Sequence, residues 1–582
     1  MVASPAPSAA EGVDAPRYLD IPNWDLLRLL PPDARRLVDV GCNAGALGLH
    51  YKRINPQCHY AGLEIDAPVA AIARTRLDRV EVVNVEDPAN DALFEPGSVD
   101  CLIYGDMLEH AIDPWALLKR HQHWLSDRGV IIACIPNVQH WTIWAELLRG
   151  QWTYQDTGLL DRTHLRFFTL DSIKDLFTGA GLELLSIYPR YGNRREVADR
   201  LAAQLQGACE LLKGDASALA DRLATIQYIV RARRPKPTPP RRLLIQTCIH
   251  EPVACKRVRV SEPDAFLDRL PGVRTHATEN GASIGIENPG EEVVFIWQRA
   301  ILCREKNLAH MRRLIQRGYV SILEIDDDPL RWPAVAASDF WGYRACHAIQ
   351  TSTEQLADFL RQINPNVAVF PNAIAALPRR RPPTDPQAPT TIFFGSLNRR
   401  PDWLPLLPAI NRVLADRGDR VRVEVIYDQA FFDALETPHK TFQPLVPFET
   451  YGETLSRCDI ALLPLNPTRF NAMKSDLSFV ECAARGVAVL ASPVAYGATL
   501  RDGETGLLFK TPGQFERRLA ALIDRPDLRD RLTANAYDWV KTQRMLAGGF
   551  RDRYDWYLQL RDRLPELNGQ LRDRLPELFA ES

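Results

Sequence analysis

Residues Leu37–Gly48 read LVDVGCNAGALG, and this stretch decides the fold of the first part of the chain. An apolar run turns through small residues and enters an amphipathic segment that extends to about Arg53. The pattern predicts a strand, a tight loop and a helix start, where backbone N–H groups and the helix dipole can face an electron-rich ligand. The next apolar run, Tyr60–Glu64, ends in a carboxylate about 20 residues further on, a spacing that suits hydrogen bonds to both ribose hydroxyls of a nucleoside cofactor.

The glycine spacing in this loop narrows the choice of cofactor. Gly41, Gly45 and Gly48 form a G-x-x-x-G-x-x-G pattern, whereas a dinucleotide pyrophosphate is typically admitted by G-x-G-x-x-G. Asn43 stands where a second glycine often lies, and asparagine is one of the few other residues that tolerate a positive φ.

This segment and its sequel resemble class I S-adenosylmethionine-dependent methyltransferases over most of residues 36–188. The matching stretches are VDVGCNAGALG, GLEID, SVDCLIYGDMLEHAIDPWALL, GVIIACIPNVQHW and GLLDRTHLRFFTLDSIKDLFTGAGL. The resemblance implies a Rossmann-like domain that binds S-adenosylmethionine. It also implies a ribose-binding role for Glu64 and an adenine-edge role for Asn84 and Glu86, and the implied cofactor-binding residues are Asp39, Gly41, Asn43, Gly45, Glu64, Asn84 and Glu86.

Histidines are the candidate catalytic residues of this half, because methyl transfer to a hydroxyl needs alignment and a base. His164, between two arginines in the loop before the last helix, is expected to face the acceptor, and His110 follows the fourth strand. The alternative for each, and for His140, is a packed or capping histidine. His121 and His123 lie two apart on a helix and point to different faces, so we expect no metal site.

Composition limits the classes of protein to which the chain can belong. Its 582 residues suggest three or four domains, and 46% apolar with 25% charged residues is typical of a globular protein. A net charge of −2 argues against nucleic acid as a partner. The eleven cysteines, without a C-x-x-C pair, indicate a reducing compartment. Lacking a long apolar run or a signal sequence, the chain is expected to be soluble and cytoplasmic, with a disordered leader.

Strand and helix patterns alternate along the chain, which predicts parallel sheets covered by helices. In the first part an antiparallel pair, Leu182–Tyr188 and Ile226–Val230, is expected to close the sheet, and RARRPKPTPPRR (231–242) reads as a stiff linker. The other strands predicted there are Arg36–Val40, Tyr60–Glu64, Val80–Val85, Asp100–Tyr104 and Val130–Ile135.

Two more α/β series follow, separated by the proline-rich segment Leu377–Pro389. Two Rossmann-like halves joined by a hinge imply a cleft, with ligands at the carboxyl ends of the strands. The strands predicted here are Leu243–Thr247, Val293–Trp297, Val320–Ile325, Ala348–Thr351, Val367–Phe370, Thr391–Gly395, Val421–Tyr427, Ile460–Leu463 and Val487–Ala491.

The last series resembles GT-B-fold, GT4-like nucleotide-sugar-dependent glycosyltransferases, mainly over about 390–540. The matching stretches are FFGSLNRRPDW, CDIALLPLNPTRFNAMKSDLSFVECAARGVAVLAS and LRDGETGLLF. A strand ending in glycine lets the backbone approach a diphosphate, which arginines can pair, and a lysine and a serine at a helix start suit phosphate. Glu481 is expected to bind the donor ribose, whereas Met473 replaces the family's second glutamate. The implied donor-binding residues are Gly395, Ser396, Arg399, Arg400, Lys474, Ser475 and Glu481.

The acidic run LEIDDDP contains Asp326-x-Asp328, which resembles the metal motif of GT-A glycosyltransferases. Catalysis in the GT-B family needs no metal, so we expect Asp326 and Asp328 to bind acceptor hydroxyls or to cap a strand end.

The end of the chain repeats itself, since LRDRLPEL occurs at Leu560–Leu567 and again at Leu571–Leu578. Charge patterning favours a solvated, partly helical tail. The alternative is a coiled-coil or partner helix through which the chain self-associates.

The fold class expected is α/β: a Rossmann-like methyltransferase domain followed by a two-Rossmann-half GT-B unit. The expected boundaries are a leader at 1–20, a methyltransferase domain at 21–232, a linker at 233–242, an acceptor half at 243–376, a hinge at 377–389, a donor half at 390–558 and a charged helical tail at 559–582.

The favoured function is a bifunctional enzyme of surface glycan biosynthesis. It is expected to use S-adenosylmethionine and a nucleotide-sugar donor on a glycan or glycolipid acceptor, with peripheral association where that acceptor is membrane-bound. One alternative keeps only the glycosyltransferase active and makes the first domain a docking module. Another makes the chain a scaffold of a polysaccharide assembly complex.

Overall fold

A computed structural model describes residues 21–250, 255–279, 281–379 and 388–580. The expected leader (1–20) and most of the expected hinge (380–387) lie outside the described residues. The described chain falls into two compact units, one within Met1–Lys52 and Cys58–Pro237 and the other within Arg53–Gln57 and Thr238–Ser582.

The first unit contains a seven-stranded sheet in the order β3-β2-β1-β4-β5-β7-β6. β7 runs antiparallel to both β5 and β6, and the other pairs are parallel. Because the central strands are covered on both faces, they are nearly continuous apolar runs. The strands are β1 Arg36–Val40, β2 His59–Glu64, β3 Arg79–Val82, β4 Val99–Gly105, β5 Leu125–Pro136, β6 Glu183–Tyr191 and β7 Thr225–Arg233.

Eight helices accompany this sheet within the described residues. The helix α6 begins with a capping box between Thr169 and Ser172, and Phe177 on its inner face lies in the core beside Ile131 and Val230. The helices are α1 Trp24–Leu27, α2 Ala46–Ile54, α3 Ala67–Ala73, α4 Pro114–His121, α5 Trp141–Leu148, α6 Leu170–Gly179, α7 Arg195–Leu211 and α8 Leu219–Ala224.

The second unit contains two six-stranded parallel sheets, with the orders β13-β12-β11-β10-β8-β9 and β16-β15-β14-β17-β18-β19. The strands of the first sheet are β8 Leu243–Ile249, β9 Val273–Glu279, β10 Glu292–Gln298, β11 Val320–Glu324, β12 Ala348–Thr351 and β13 Val367–Val369. Those of the second are β14 Thr390–Gly395, β15 Val421–Ile426, β16 Lys440–Gln443, β17 Ile460–Leu463, β18 Ala488–Ala491 and β19 Leu507–Leu508.

Helices follow most of these strands, as right-handed parallel connections require. They are α9 Glu262–Leu267, α10 Arg304–Gln316, α11 Pro333–Ala337, α12 Trp341–Ala345, α13 Glu354–Arg361, α14 Arg400–Trp403, α15 Leu407–Arg417, α16 Gln429–Ala434, α17 Phe448–Ser456, α18 Arg469–Ala472, α19 Leu477–Arg485, α20 Pro512–Asp524, α21 Pro526–Gln543, α22 Leu546–Asp562 and α23 Leu564–Arg574.

The predicted α/β class is confirmed, with one Rossmann-like domain followed by two Rossmann-like halves. The antiparallel pair that closes the first sheet is also confirmed. Three strands were not predicted, namely β9, β16 and β19, and each lies at the edge of its sheet. β7 continues through Arg233, where an ion pair of 2.7 Å with Glu183 of β6 holds it, so the strand extends into the segment expected to be a linker.

The expectation of a solvated tail is wrong. Leu567 and Leu571 of α23 are buried, and Leu571, Leu575 and Leu578 belong to the hydrophobic core of the β8–β13 sheet. The side chain of Asn568 lies 3.0 Å from Nε2 of His347 beside that sheet. The two prolines of the repeat mark helix boundaries, since Pro565 lies in the first turn of α23 and Pro576 follows its end. In the described part of the chain these leucines therefore pack against the β8–β13 sheet, and their side chains are not exposed for self-association.

Among the described helices, none is both long enough and apolar enough to cross a lipid bilayer.

Candidate functional site

The loop after β1 has the conformation that its sequence predicts. Gly41, Asn43 and Gly45 have φ values of 77°, 50° and 76°, so asparagine occupies a left-handed position here. Backbone N–H groups of Gly41 and Cys42 donate to Leu63 O at 2.8 and 3.1 Å, which fixes the loop against the end of β2. A Cβ atom on Gly41 would lie 3.1 Å from the Met107 side chain, a tight contact, and the positive φ of this residue favours glycine.

A cavity of about 140 Å³ opens at this loop. Asp39, Gly41 and Asn43 line it together with Asp106 at the end of β4 and the segment that begins at Ile21. Asp39 is buried and accepts a hydrogen bond of 2.9 Å from the Tyr60 hydroxyl. Burial raises the pKa of Asp39 to about 7, against the lowering effect of that hydrogen bond.

Glu64 lies at the end of β2, and its carboxylate serves the backbone around it. One oxygen accepts from Asn43 N at 2.9 Å, and the other accepts from Ile65 N at 2.8 Å and Asp66 N at 3.0 Å. Glu64 does not line the cavity, although Asn43, to which it is bonded, does. The carboxylate therefore orders the loop through three hydrogen bonds from backbone N–H groups.

The side chains of Asn84 and Glu86, which follow β3, accept hydrogen bonds from backbone N–H groups. Asn84 Oδ1 accepts from Glu86 N at 3.0 Å, which closes a turn. Glu86 accepts from Ile112 N at 2.8 Å and Asp113 N at 3.1 Å, just before α4. The two residues therefore define the end of β3 and the start of α4, and neither lines the cavity at Asp39.

The structure brings His110 and His164 together, with ring centroids 4.8 Å apart. Glu109, which directly precedes His110, was not predicted as a site residue from the sequence. Its side chain is 1% exposed, and burial, together with the nearby charge of Asp106, raises its pKa well above the usual value. The LEH stretch could have indicated it as an acid that directly follows a buried leucine. His140, by contrast, caps α5 by accepting from Thr142 N, which is the packed role considered above.

In the second unit the residues expected to bind the donor lie near the ends of β14 and α19. Gly395 ends β14, and a Cβ there would lie 2.5 Å from the Phe393 ring, so its small size serves packing. Ser396 follows directly, and Arg400, which is exposed, begins α14. Arg399 donates to Asn471 Oδ1 at 2.8 Å and to Asp402 at 3.2 Å, which fixes its guanidinium.

Lys474 and Ser475 come immediately before α19. Lys474 Nζ lies 3.8 Å from Asp327, and burial lowers the pKa of this lysine. Ser475 accepts a hydrogen bond of 2.9 Å from Asn372. Arg544 forms a buried two-pronged ion pair with Asp476, at 2.6 and 2.7 Å, and so fixes the start of α19.

Glu481 lies within α19 and is 6% exposed. Burial raises the pKa of this carboxyl to about 7, although Arg485 acts in the opposite direction. Burial, and after it the charge of Glu481, raises the pKa of Tyr427 and Tyr451, whose rings stack with centroids 6.2 Å apart. Two further cavities in this unit, of about 590 and 210 Å³, are not lined by Glu481.

Asp326 and Asp328 are held in ion pairs. Asp326 meets Arg299 at 2.6 Å, and Asp328 meets Arg469 at 3.2 Å. Asp328 also caps the following turn by accepting from Leu330 N at 3.1 Å, so one of the two roles considered for it, capping after a strand, is present.

The middle carboxylate, Asp327, was not singled out from the sequence, yet it is the centre of this cluster. It is 3% exposed and lies 2.8 Å from Arg331, 3.5 Å from Arg299 and 3.8 Å from Lys474. The D-x-D spacing points to the two carboxylates on either side of Asp327, and nothing in that pattern distinguishes the residue between them.

Comparison with known families matches two parts of the chain. A family model described as "Methyltransferase domain" matches residues 21–187, and one described as "Glycosyl transferase-like" matches residues 411–547. Among curated proteins, the ubiquinone biosynthesis O-methyltransferase of Cupriavidus pinatubonensis is 24% identical over 156 residues. That alignment covers 26% of this chain and 62% of the relative, so this chain spans less than two thirds of the relative's length.

Solved structures similar to each part have low TM-scores. HepE of Anabaena, solved with UDP and glucose, is 13% identical with a TM-score of 0.40, over 54% of this chain and 99% of that one. A mutant of TarM from S. aureus, solved with UDP, is 10% identical with a TM-score of 0.35, over 46% of this chain and 55% of that one. A SAM-dependent methyltransferase of Archaeoglobus fulgidus is 14% identical with a TM-score of 0.27, over 36% and 92%.

The family matches agree in position with the loop at Asp39 and with the strands and helices around Glu481. The chain thus carries domains of two transferase families, a methyltransferase domain in its N-terminal part and a glycosyltransferase domain in its C-terminal part.

Proposed function

We propose that this chain is a bifunctional transferase of surface glycan synthesis. Its first unit transfers a methyl group from S-adenosylmethionine to a hydroxyl, and its second transfers a sugar from a nucleotide-sugar donor. The observation that carries the methyl-transfer half is the loop of three left-handed residues, Gly41, Asn43 and Gly45, beside the buried carboxylates Asp39 and Glu64. The curated relative is named an O-methyltransferase, which supports a hydroxyl as the acceptor.

The chain's own residues supply binding and orientation in the methyl-transfer half. S-adenosylmethionine, when bound, supplies an activated methyl group on a sulfonium. Asp39 offers a buried carboxylate to the cationic end of the cofactor, and Glu64 holds Asn43 N in place at 2.9 Å while it accepts from the ribose. His110 and His164, whose rings lie beside each other, are the candidate bases for the proton of a hydroxyl acceptor.

The donor half rests on a cluster of cations around Asp327. Lys474, Arg299 and Arg331 share this one buried carboxylate, so a diphosphate can replace it as their counter-charge. The Arg399 guanidinium is already held by its hydrogen bond to Asn471, so it can bind a phosphate without a further loss of side-chain entropy. Glu481, ionised above a pH of about 7, accepts from the donor ribose.

Thermal-shift measurements on the full chain test both halves. S-adenosylhomocysteine and a panel of nucleoside diphosphates should each raise the Tm, because a ligand that binds only the folded state stabilises it. Glu64→Gln should abolish the Tm shift caused by S-adenosylhomocysteine and keep the shifts caused by nucleoside diphosphates. The glutamine amide cannot accept all three hydrogen bonds that backbone N–H groups donate to the Glu64 carboxylate. The exposed Glu95→Gln is the matched control.

Incubation with labelled S-adenosylmethionine and oligosaccharide acceptors then separates this proposal from the docking-module alternative. Methyl incorporation that disappears in Glu64→Gln supports catalysis by the first unit. A chain that binds S-adenosylhomocysteine but methylates none of the acceptors, while still transferring sugar, would contradict the bifunctional proposal.

A further inference from the structure

Three side chains with metal-ligand chemistry meet beside the cavity at Asp39. Glu109 and His110 lie on the turn that follows β4, and His164 lies in the loop before α6. One ligand atom of each lies within 4.8 Å of those of the other two. Asp106, whose charge acts on Glu109, lines that cavity, so the group lies near it.

Glu109 is the unusual member of the group. Its side chain is 1% exposed, and neither carboxylate oxygen accepts a hydrogen bond from any other residue in the described part of the chain. Its backbone carbonyl accepts from Leu165 N at 2.8 Å and Arg166 N at 3.0 Å, which brings the loop with His164 alongside. A buried carboxyl group without a hydrogen-bond partner or a cation is costly in either protonation state, so it calls for a partner.

Both histidines already have one ring nitrogen occupied. His110 Nδ1 lies 3.2 Å from Thr163 O and 3.1 Å from the Thr163 hydroxyl, whose own hydrogen goes to Asp161. His164 Nδ1 lies 3.2 Å from Leu159 O. A carbonyl oxygen only accepts, so each Nδ1 carries the hydrogen, and Nε2 of the neutral ring keeps its lone pair. An imidazole whose other N–H donates to a backbone carbonyl is the usual arrangement of a metal-ligating histidine.

We propose that Glu109, His110 and His164 bind a divalent transition-metal cation. One carboxylate oxygen and one ring nitrogen of each imidazole lie close together, and a cation between them would satisfy all three. Two imidazoles and one carboxylate suit Zn²⁺, Mn²⁺, Fe²⁺ or Co²⁺ better than Ca²⁺, which takes oxygen ligands. Three protein ligands leave a coordination position open to an exogenous oxygen.

The role of the cation rests on the proposed methyl-transfer function. A hydroxyl of the acceptor occupies the open position, where the cation lowers its pKa and its proton passes to water. The oxygen then forms a bond to the methyl carbon as the C–S bond breaks, and the electron pair of that bond stays on sulfur. His110 and His164 act here as ligands, and the base assigned to them above is not needed.

Cobalt titration of the full chain tests the site. After removal of metals by a chelator, wild-type protein should bind one equivalent of Co²⁺, with visible d–d absorption and no thiolate charge-transfer band, because none of the three ligands is a cysteine. Glu109→Gln and His164→Gln should lose this equivalent. The exposed His123→Gln, in the same unit, should keep it. Wild-type protein that binds no Co²⁺, or variants that bind as wild type does, would overturn the proposal.

A stability measurement guards against misfolded variants. In the presence of chelator, Glu109→Gln should have a Tm close to that of wild type, because the amide has the same shape as the carboxyl and adds no charge. Added Co²⁺ should raise the Tm of wild type only. A lower metal-free Tm together with unchanged Co²⁺ binding would refute a ligand role. Binding of S-adenosylhomocysteine is measured separately. A chain that binds Co²⁺ but not S-adenosylhomocysteine would support the metal site and contradict only the methyl-transfer function.

Discussion

At the scale of single residues, the buried acid Asp39 sets a pH dependence in the first unit. Its pKa is about 7 in the folded chain and 3.8 as an ordinary carboxyl, so the folded state holds this proton longer than the unfolded state. The free energy of unfolding should therefore fall as the pH rises from about 4 to about 7 and change little from this group above that. Three pKa units correspond to at most about 4 kcal/mol.

Asp39→Asn should remove this pH dependence and raise the Tm at pH 8, because the amide still accepts from Tyr60 and carries no charge. The same variant should weaken binding of the cationic S-adenosylmethionine more than that of neutral S-adenosylhomocysteine. Denaturant unfolding at pH 5 and pH 8, with calorimetry of both ligands, checks the two effects. A wild-type chain that is more stable at pH 8 than Asp39→Asn would contradict the assignment.

A second residue-scale prediction concerns Asp327. Asp327→Asn removes the counter-charge of Lys474 and Arg331 and leaves Arg299 paired with Asp326, so the metal-free affinity for a nucleoside diphosphate should rise while the apo chain becomes less stable. Lys474→Ala should lower that affinity by about tenfold or more, since it removes a charge-assisted contact of about 1.5–3 kcal/mol. Isothermal titration at two salt concentrations distinguishes charge effects from unfolding; equal affinities in all three proteins would exclude this cluster as the diphosphate site.

At the scale of elements, the strands that sequence predicted best are those buried on both faces. The predicted bounds of β1, β12 and β17 match the structure, because apolar runs between turn residues define such strands well. The missed edge strand β9 reads VRTHATE and is mostly half-buried, so it lacks the apolar run on which the prediction relied. The partners of side chains were harder to predict from the sequence. The acidic residues Asp326 and Asp328 are evident in the sequence, but the arginines that pair with them, Arg299 and Arg469, lie in other segments of the chain.

The C-terminal helices give the element-scale prediction. Leu571 of α23 is fully buried against the sheet of β8–β13, so Leu571→Ala should lower the free energy of unfolding by about 2–5 kcal/mol. Leu445→Ala, at a position 74% exposed, should change it by less than about 0.5 kcal/mol. Denaturant unfolding of both variants measures this. Equal stabilities, together with a loss of self-association in Leu571→Ala, would instead favour the tail as an interaction surface.

At the scale of the whole molecule, the fusion makes a prediction that neither unit makes alone. If both units act on one acceptor, Glu64→Gln should yield only glycosylated product and Glu481→Gln only methylated product, whereas the exposed variants Glu95→Gln and Glu504→Gln should yield both.

Mixing the two single variants should restore the doubly modified product only through an intermediate released into solution. In the wild-type chain the second unit meets that intermediate at a raised local concentration. The wild type should therefore exceed the mixture at low enzyme concentration, and the two should converge as the concentration rises. Mass spectrometry of a fluorescent oligosaccharide acceptor measures both products over time. Equal yields at every concentration would show that the two reactions are independent, and the reason for the fusion would then have to lie outside catalysis.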